Sequence, residues 1–405
     1  MFPRGMGFLC LRRWSAVLYF GFCIRNMFPC KFARFSNLSF ASKRAVCSLC
    51  FIRSLSAEAV PQSRDEDPKV MRLFEGIIRG ERGSLAQGIT MVETLHPEKY
   101  KQAQKLLSKI VKYSKSNLKF PSGKKTSFRI GFSGPPGAGK STFIEVFGKM
   151  LTSQGHKVAV LAVDPSSSRT GGSLLGDKTR MTELSRDRDA YIRPSPTSGT
   201  LGGVTRSTNE AIVLCEAGGY DIILVETVGV GQSEYAVAHM VDMFVLLIPP
   251  AGGDEMQGIK KGIVEMADVV LINKADGDLL IPAQRIQTEY TSALKLLKNK
   301  SNIWSPSVMR VSAKTGEGID KSWKVMQAFF NTMTETGELE KERRKQQVVW
   351  MWSHIKEQII NRFKMNSDVK RKIKTYENLV AEGLMTPGLA ADMMLKIFER
   401  STEEI

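Results

Sequence analysis

Cysteine is scarce beyond the opening stretch of this 405-residue chain. Cys10, Cys23, Cys30, Cys47 and Cys50 all fall within residues 1–57, which leaves Cys215 alone in the remainder. A single thiol closes no internal disulfide, and that suits a reducing compartment. Cys47 and Cys50 have the spacing of a redox or zinc pair, yet no second pair or histidine cluster follows them. His96, His156, His239 and His354 are scattered without ligand spacing. Long apolar runs are missing too. Residues 14–24 fall well short of the ~20 needed to span a bilayer. No internal repeat or low-complexity tract is present. A hydrophobic content of 42% is enough for a sizeable core, which excludes wholesale disorder.

Acidic residues are absent from residues 1–57, which carry Arg4, Arg12, Arg13, Arg25, Lys31, Arg34, Lys43, Arg44 and Arg53 before the first acid at Glu58. These nine bases are over half of the net +17; the rest of the chain has 49 bases against 41 acids, a net +8. A basic total of this size would ordinarily suggest nucleic acid or an anionic membrane. Here most of it belongs to an Arg-rich, Ser-bearing, acid-free leader with the composition of a mitochondrial transit peptide. Residues 14–24 could also pass for a secretory apolar segment, but bases continue for roughly 30 residues beyond it. The expectation is delivery to the mitochondrial matrix, no membrane span and no nucleic-acid partner.

Residues 58–125 read as helical, with Val70, Leu73, Phe74, Ile77 and Ile78, then Leu106, Leu107, Ile110 and Val111, at helical spacing. Residues 119–126 read as a linker. Between 126 and 337, apolar runs at 128–133, 158–164, 222–226, 244–248, 269–273 and 308–311 alternate with helical stretches. That pattern predicts an α/β fold with a mainly parallel sheet covered by helices on both faces. Residues 338–405 turn helical again, with Val348, Trp352, Ile355, Ile359 and Phe363 on one stripe.

Gly134, Pro135, Pro136, Gly137, Ala138, Gly139, Lys140 and Ser141 follow the first predicted strand, and Thr142 continues into a helix. This is the spacing of a P-loop in its strand-to-helix context. Glycines let backbone amides wrap phosphate oxygens, and the helix N-terminus favours the anion. Lys140 would reach the β- and γ-phosphates, and Ser141 would ligate Mg²⁺. Further on, Asn273, Lys274 and Asp276 close another strand. A carboxylate at 276 can accept from guanine N1–H and N2–H, a donor pair adenine lacks. The Lys274 stem can lie over the base, and Ser312, Ala313 and Lys314 offer amides to guanine O6. GTP is therefore expected over ATP.

Residues 221–229 form the second phosphate element: an apolar strand that delivers Glu226 to the Mg²⁺ site, then Gly229, whose amide would meet the γ-phosphate. Many GTPases place a water-orienting Gln after that glycine. Val230 stands here and cannot orient water, which predicts slow intrinsic hydrolysis raised by a partner or a rearranged loop. Asp164, before Pro165, and Asp177 are candidate direct or water-mediated Mg²⁺ ligands; a turn Asp and a helix N-cap are the plainer alternatives. Lys260 ends a Gly-rich stretch after the 244–248 run. It could reach the phosphates in a closed state or be a solvated lysine at a helix start. Residues 198–203 open a helix and read as a hinge or subunit contact.

Taken together, 134–141, Asp164-Pro-Ser-Ser, 176–181, 226–232, 273–276 and the 384–392 tail resemble the metallochaperone class of P-loop GTPases, in its ArgK/MeaB-like subfamily. The resemblance covers about residues 60–405. It implies a GTPase chaperone of methylmalonyl-CoA mutase that gates adenosylcobalamin delivery and helps remove inactivated cofactor. Cobalamin would be handled through that partner rather than bound tightly. It also implies Mg²⁺ ligation by Ser141, Asp164, Asp177 and Glu226, a third mobile switch over 252–261 with Lys260 as catalytic helper, and a homodimer built on the C-terminal helices. Nickel insertases of the same class use Cys/His-rich sites, which this chain lacks. A small-molecule kinase and a non-hydrolysing nucleotide-dependent scaffold are the alternatives. The first has no use for Asn273–Asp276, and intact Lys140, Ser141 and Glu226 argue against the second.

Overall fold

The computed structural model describes residues 67–403 except 95, 118–119, 121–122, 124–125, 165–180, 197–200, 228–232, 251–260 and 298–300. The leader, Asp177, Gly229, Val230 and Lys260 therefore lie outside the described residues, and Asp164 is described by its backbone alone. Everything described belongs to one unit, Glu66–Ile405.

The chain begins with three helices, α1 (Pro68–Ile78), α2 (Arg82–Val92) and α3 (Pro97–Asn117). Asp67 caps α1 by accepting from the Lys69 amide at 3.0 Å, and Pro68 sits at the first turn, where a missing N–H costs nothing. The core then runs β1 (Phe128–Ser133), α4 (Lys140–Ser153), β2 (Val158–Asp164), α5 (Thr182–Arg186), β3 (Ala190–Pro196), α6 (Leu201–Ala217), β4 (Ile222–Thr227), α7 (Ser233–Ala238), β5 (Met243–Ile248), α8 (Lys261–Met266), β6 (Val269–Ile272), α9 (Leu280–Leu296), β7 (Ser307–Arg310) and α10 (Ile319–Glu335). Three further helices follow: α11 (Glu338–Met365), α12 (Ser367–Ala381) and α13 (Pro387–Glu403). Among the described residues, no helix is long and apolar enough to cross a membrane.

The seven strands among the described residues are all parallel, in the order β3-β2-β4-β1-β5-β6-β7. The expected α/β fold is what forms, with one strand more than the six apolar runs. β1 lies centrally between β4 and β5, so the loop leaving it opens at the carboxyl edge where ligands bind in such sheets. Strand residues alternate between two cores. Phe128, Ile130 and Phe132 face α4 and α10, where Phe132 meets Phe143 at 5.5 Å and Phe147 meets Trp323 at 5.8 Å. On the other face, Val70, Leu73 and Ile77 of α1 and Leu106 and Ile110 of α3 join α6 and the sheet in one cluster. Each such fully buried side chain contributes about 1.5–3 kcal/mol. The helices before the core thus share its interior. The α11 stripe behaves differently, since Val348, Trp352, Ile355 and Ile359 are all exposed.

Candidate functional site

The loop between β1 and α4 needs its glycines for physical reasons. Gly134 has φ +150, and a Cβ there would lie 2.0 Å from the Leu247 carbonyl oxygen on β5, so only a bare α-carbon fits. Gly139 has φ +82, and a Cβ would press on the Asn273 amide nitrogen at 2.6 Å. Between them Pro135 is half-buried, Pro136 and Gly137 are exposed, and Ala138 is buried; Thr142 is exposed on the first turn of α4. Lys140 is buried, and its ammonium donates to the carbonyls of Gly134 at 2.7 Å and Pro135 at 3.1 Å. A cation is therefore held on two carbonyls inside this turn.

Ser141 donates through its hydroxyl to Glu226 Oε1 at 2.7 Å. Glu226 comes from the end of β4, where it pairs in register with Phe132 of β1 and Ala162 of β2, and it is buried. The serine hydroxyl and the carboxylate are hard oxygen donors of the kind Mg²⁺ takes, so the pair fits that ion. Asp164 ends β2, one strand over from β4, on the same carboxyl edge.

The second loop arrives from β6. Asn273 is buried and donates to the carbonyls of Ala138 at 2.8 Å and Gly139 at 3.4 Å, while its own oxygen accepts from the Ala313 amide at 3.3 Å. One side chain thereby ties residues 134–141 to residues 312–314. Ser312 donates to Asp276 Oδ2 at 2.5 Å and accepts from the Thr315 amide, which fixes the carboxylate beside that loop. Lys274 is exposed, with a positive φ of 59, and its Cε lies 3.8 Å from where a Cβ of Gly139 would sit. Its stem therefore runs beside the phosphate loop. Lys314 is exposed, and Ala313 is buried.

Two contributors were not legible from motif spacing. Thr227 donates to Ser133 at 3.2 Å, joining the roots of the β4 and β1 loops through two fully buried hydroxyls. Glu145 of α4 accepts from the amides of Glu183 at 2.7 Å and Leu184 at 3.2 Å, capping α5 where the chain leaves residues 165–180. The only sequence signal for Glu145 is an acid one helical turn after Ser141.

A parallel sheet with this loop on its central strand, and with Asn273 and Asp276 beside it, defines a nucleotide-binding P-loop GTPase. The family model for the methylmalonyl-CoA mutase-associated GTPase MeaB matches residues 85–368. The chain is 57% identical to the mouse (Mus musculus) methylmalonic aciduria type A homolog, mitochondrial, over 88% of each chain. It is 45% identical to a probable GTPase of Mycobacterium tuberculosis, covering 84% of this chain and 98% of that one. A solved structure of a LAO/AO transport system kinase superposes with a TM-score of 0.62 at 35% identity, covering 83% of this chain and all of that one. The chain belongs to the methylmalonyl-CoA mutase-associated GTPase MeaB family, and it is a GTPase.

Proposed function

We propose that this chain is a GTP-hydrolysing chaperone of methylmalonyl-CoA mutase, gating adenosylcobalamin delivery and helping to remove inactivated cofactor. The observation that carries the GTP half is the Asn273 bridge, which brings the phosphate loop and the Asp276–Ser312 pair into one site. Family membership supports the mutase half.

In this reading, the loop of Gly134, Pro135, Pro136, Gly137, Ala138 and Gly139 cradles the phosphates through the N–H groups of its non-proline residues, joined by Ser141 and Thr142. Lys140 leaves the Gly134 and Pro135 carbonyls for the β- and γ-phosphates, where its charge stabilises the transferring group. Ser141 and Glu226, hydrogen-bonded to each other here, would hold Mg²⁺, with Asp164 and Asp177 contributing directly or through water. The ion would supply positive charge to offset that of the phosphates. Asp276 accepts from guanine, Lys274 covers the base, and Ser312, Ala313 and Lys314 offer amides to O6. Lys260 assists hydrolysis from the 252–261 segment. With Val230 after Gly229, hydrolysis is slow alone and raised by the mutase.

The division of labour along the chain follows the same reading: residues 1–57 address it to the mitochondrial matrix, 58–125 form an N-terminal helical region, 126–337 hydrolyse GTP, and 338–405 form the homodimer. The mouse relative's mitochondrial name and the acid-free leader support the address. The exposed Val348, Trp352, Ile355 and Ile359 support a second copy on α11. Co-elution with purified mutase, measured with GDP and with a non-hydrolysable GTP analogue, tests the partnership. A nucleotide-dependent complex is expected, and its absence with both nucleotides overturns it.

A further inference from the structure

Helix α7 occupies an unusual position. It begins at Ser233, directly after residues 228–232, and α8 begins at Lys261, directly after residues 251–260. The two helices touch: a Cβ on Gly262 of α8 would lie 2.2 Å from the Tyr235 hydroxyl of α7. The inner side of α7 is seated on β1, where a Cβ on Gly131 would meet Val237 of the helix at 2.9 Å and Val241, just beyond it, at 3.0 Å. Movement of α7 is therefore opposed by close-packed neighbours on two sides.

The chain leaving the C-terminal end of α7, at His239, Val241 and Asp242, is gripped by α11. Trp350 Nε1 donates to the His239 carbonyl at 3.2 Å, and Gln346 Nε2 donates to the Val241 carbonyl at 2.6 Å. Arg343 forks onto Asp242 at 2.7 and 2.6 Å and reaches the Ser127 carbonyl at 2.8 Å. Asp242 also accepts from the Arg129 amide of β1 at 2.9 Å. The Arg129 guanidinium is held by Glu216 and lies 5.8 Å from the Trp350 ring. Positions 343, 346 and 350 share one face of α11. The exposed stripe at 348, 352, 355 and 359 lies on the far side, with Trp352 about 200° round the helix from Trp350.

We propose that Arg343, Gln346 and Trp350 are positioning residues for GTP hydrolysis: through α7 they couple the segment after Glu226 to the docking of α11, so nucleotide state reaches the C-terminal helices. This rests on the reading that the Gly229 amide meets the γ-phosphate. It assigns a role to a hydrogen-bonded face that the dimer reading leaves unused. Donors on the His239 and Val241 carbonyls hold the chain just beyond this six-residue helix, adding direction-specific bonds to the packing that already opposes its movement.

The test uses the full chain with GTP and Mg²⁺. Trp350→Phe and Gln346→Met remove the donors while keeping bulk. Each is expected to lower kcat at least fivefold with KM for GTP within twofold. Arg344→Ala, which loses only a pairing with exposed Glu340 on the same helix, is expected to leave both within twofold. A second readout needs binding but no turnover. Exchange of GDP for a non-hydrolysable GTP analogue is expected to shift tryptophan emission in the wild type and in Trp304→Phe, and most of that shift is lost in Trp350→Phe. An unchanged kcat in both donor variants overturns the proposal. So does a full emission change in Trp350→Phe, even if kcat falls, because α11 would then be only a structural support. A wild type that binds GTP and shows the Trp350 signal without turnover sinks the hydrolysis reading and leaves the coupling standing.

Discussion

Glu210 of α6 offers a test of how the helical extensions are joined to the GTPase core. Its carboxyl is 6% exposed between α3 and α11. One oxygen accepts from Gln104 at 2.9 Å, and the other has no hydrogen-bond partner among the described residues. Burial pushes its pKa up from 4.5 to about 7, against the Gln104 hydrogen bond and the Arg206 charge, with Glu357 adding to the rise. Between pH 4.5 and 7 the unfolded chain has released this proton and the folded chain keeps it, so stability falls as pH rises through that window. A pKa rise of that size corresponds to about 3–4 kcal/mol, at ~1.4 kcal/mol per tenfold change in proton affinity. Glu210→Gln keeps the shape of the protonated acid and cannot titrate. Its stability relative to wild type is therefore expected to rise by about 3–4 kcal/mol between pH 4.5 and 7 and to stay level above that. Urea unfolding followed by circular dichroism at half-unit pH steps measures the difference. His354 nearby titrates the other way: burial first, then Arg206, lower its pKa from 6.5 to about 4. Its neutral ring adds stability that is lost as pH falls through that range. The ring is partly exposed, so its share is smaller, and it is common to both proteins and cancels in the difference. Parallel pH profiles for Glu210→Gln and wild type would refute the burial argument.

Three further outcomes follow from the site. Asp276→Asn is expected to weaken GTP 10- to 100-fold, on the order of 1.5–3 kcal/mol for a charged hydrogen bond, and to favour xanthosine triphosphate, whose carbonyl replaces the N2–H donor; competition binding reads the switch. Lys140→Ala is expected to cut single-turnover hydrolysis by on the order of 100-fold or more, measured by phosphate release. Gly134→Ala forces a Cβ to 2.0 Å from the Leu247 carbonyl oxygen, so both nucleotide binding and the thermal midpoint are expected to drop.

The sequence made the central sheet and the motif loops legible because their signals are local. Apolar runs bounded by turn residues mark most strands, and residues 134–141 carry strand, loop and helix within one short window. β3 escaped that reading for a physical reason. Ala190–Pro196 includes Arg193, Pro194 and Pro196 and looks like a turn, yet it pairs only with β2 at the sheet edge, where proline is tolerated. The stripe on α11 was visible as a period. Its exposure was not, because a period says which residues share a face and not what the face meets. Contacts such as Arg343–Asp242 and Gln104–Glu210 join residues more than 100 positions apart, and no spacing rule announces them. The same holds for the Asn273 bridge, whose grip on Ala138 and Gly139 spans 135 and 134 positions of chain.

The most direct test of the account is the rate of GTP hydrolysis by the full chain, alone and with apo or holo methylmalonyl-CoA mutase, in the presence of Mg²⁺. Slow turnover alone, a clear rise with mutase, and loss of both in Lys140→Ala are the predicted results. A rate that mutase leaves unchanged in either form would contradict the claim that this GTPase serves the mutase.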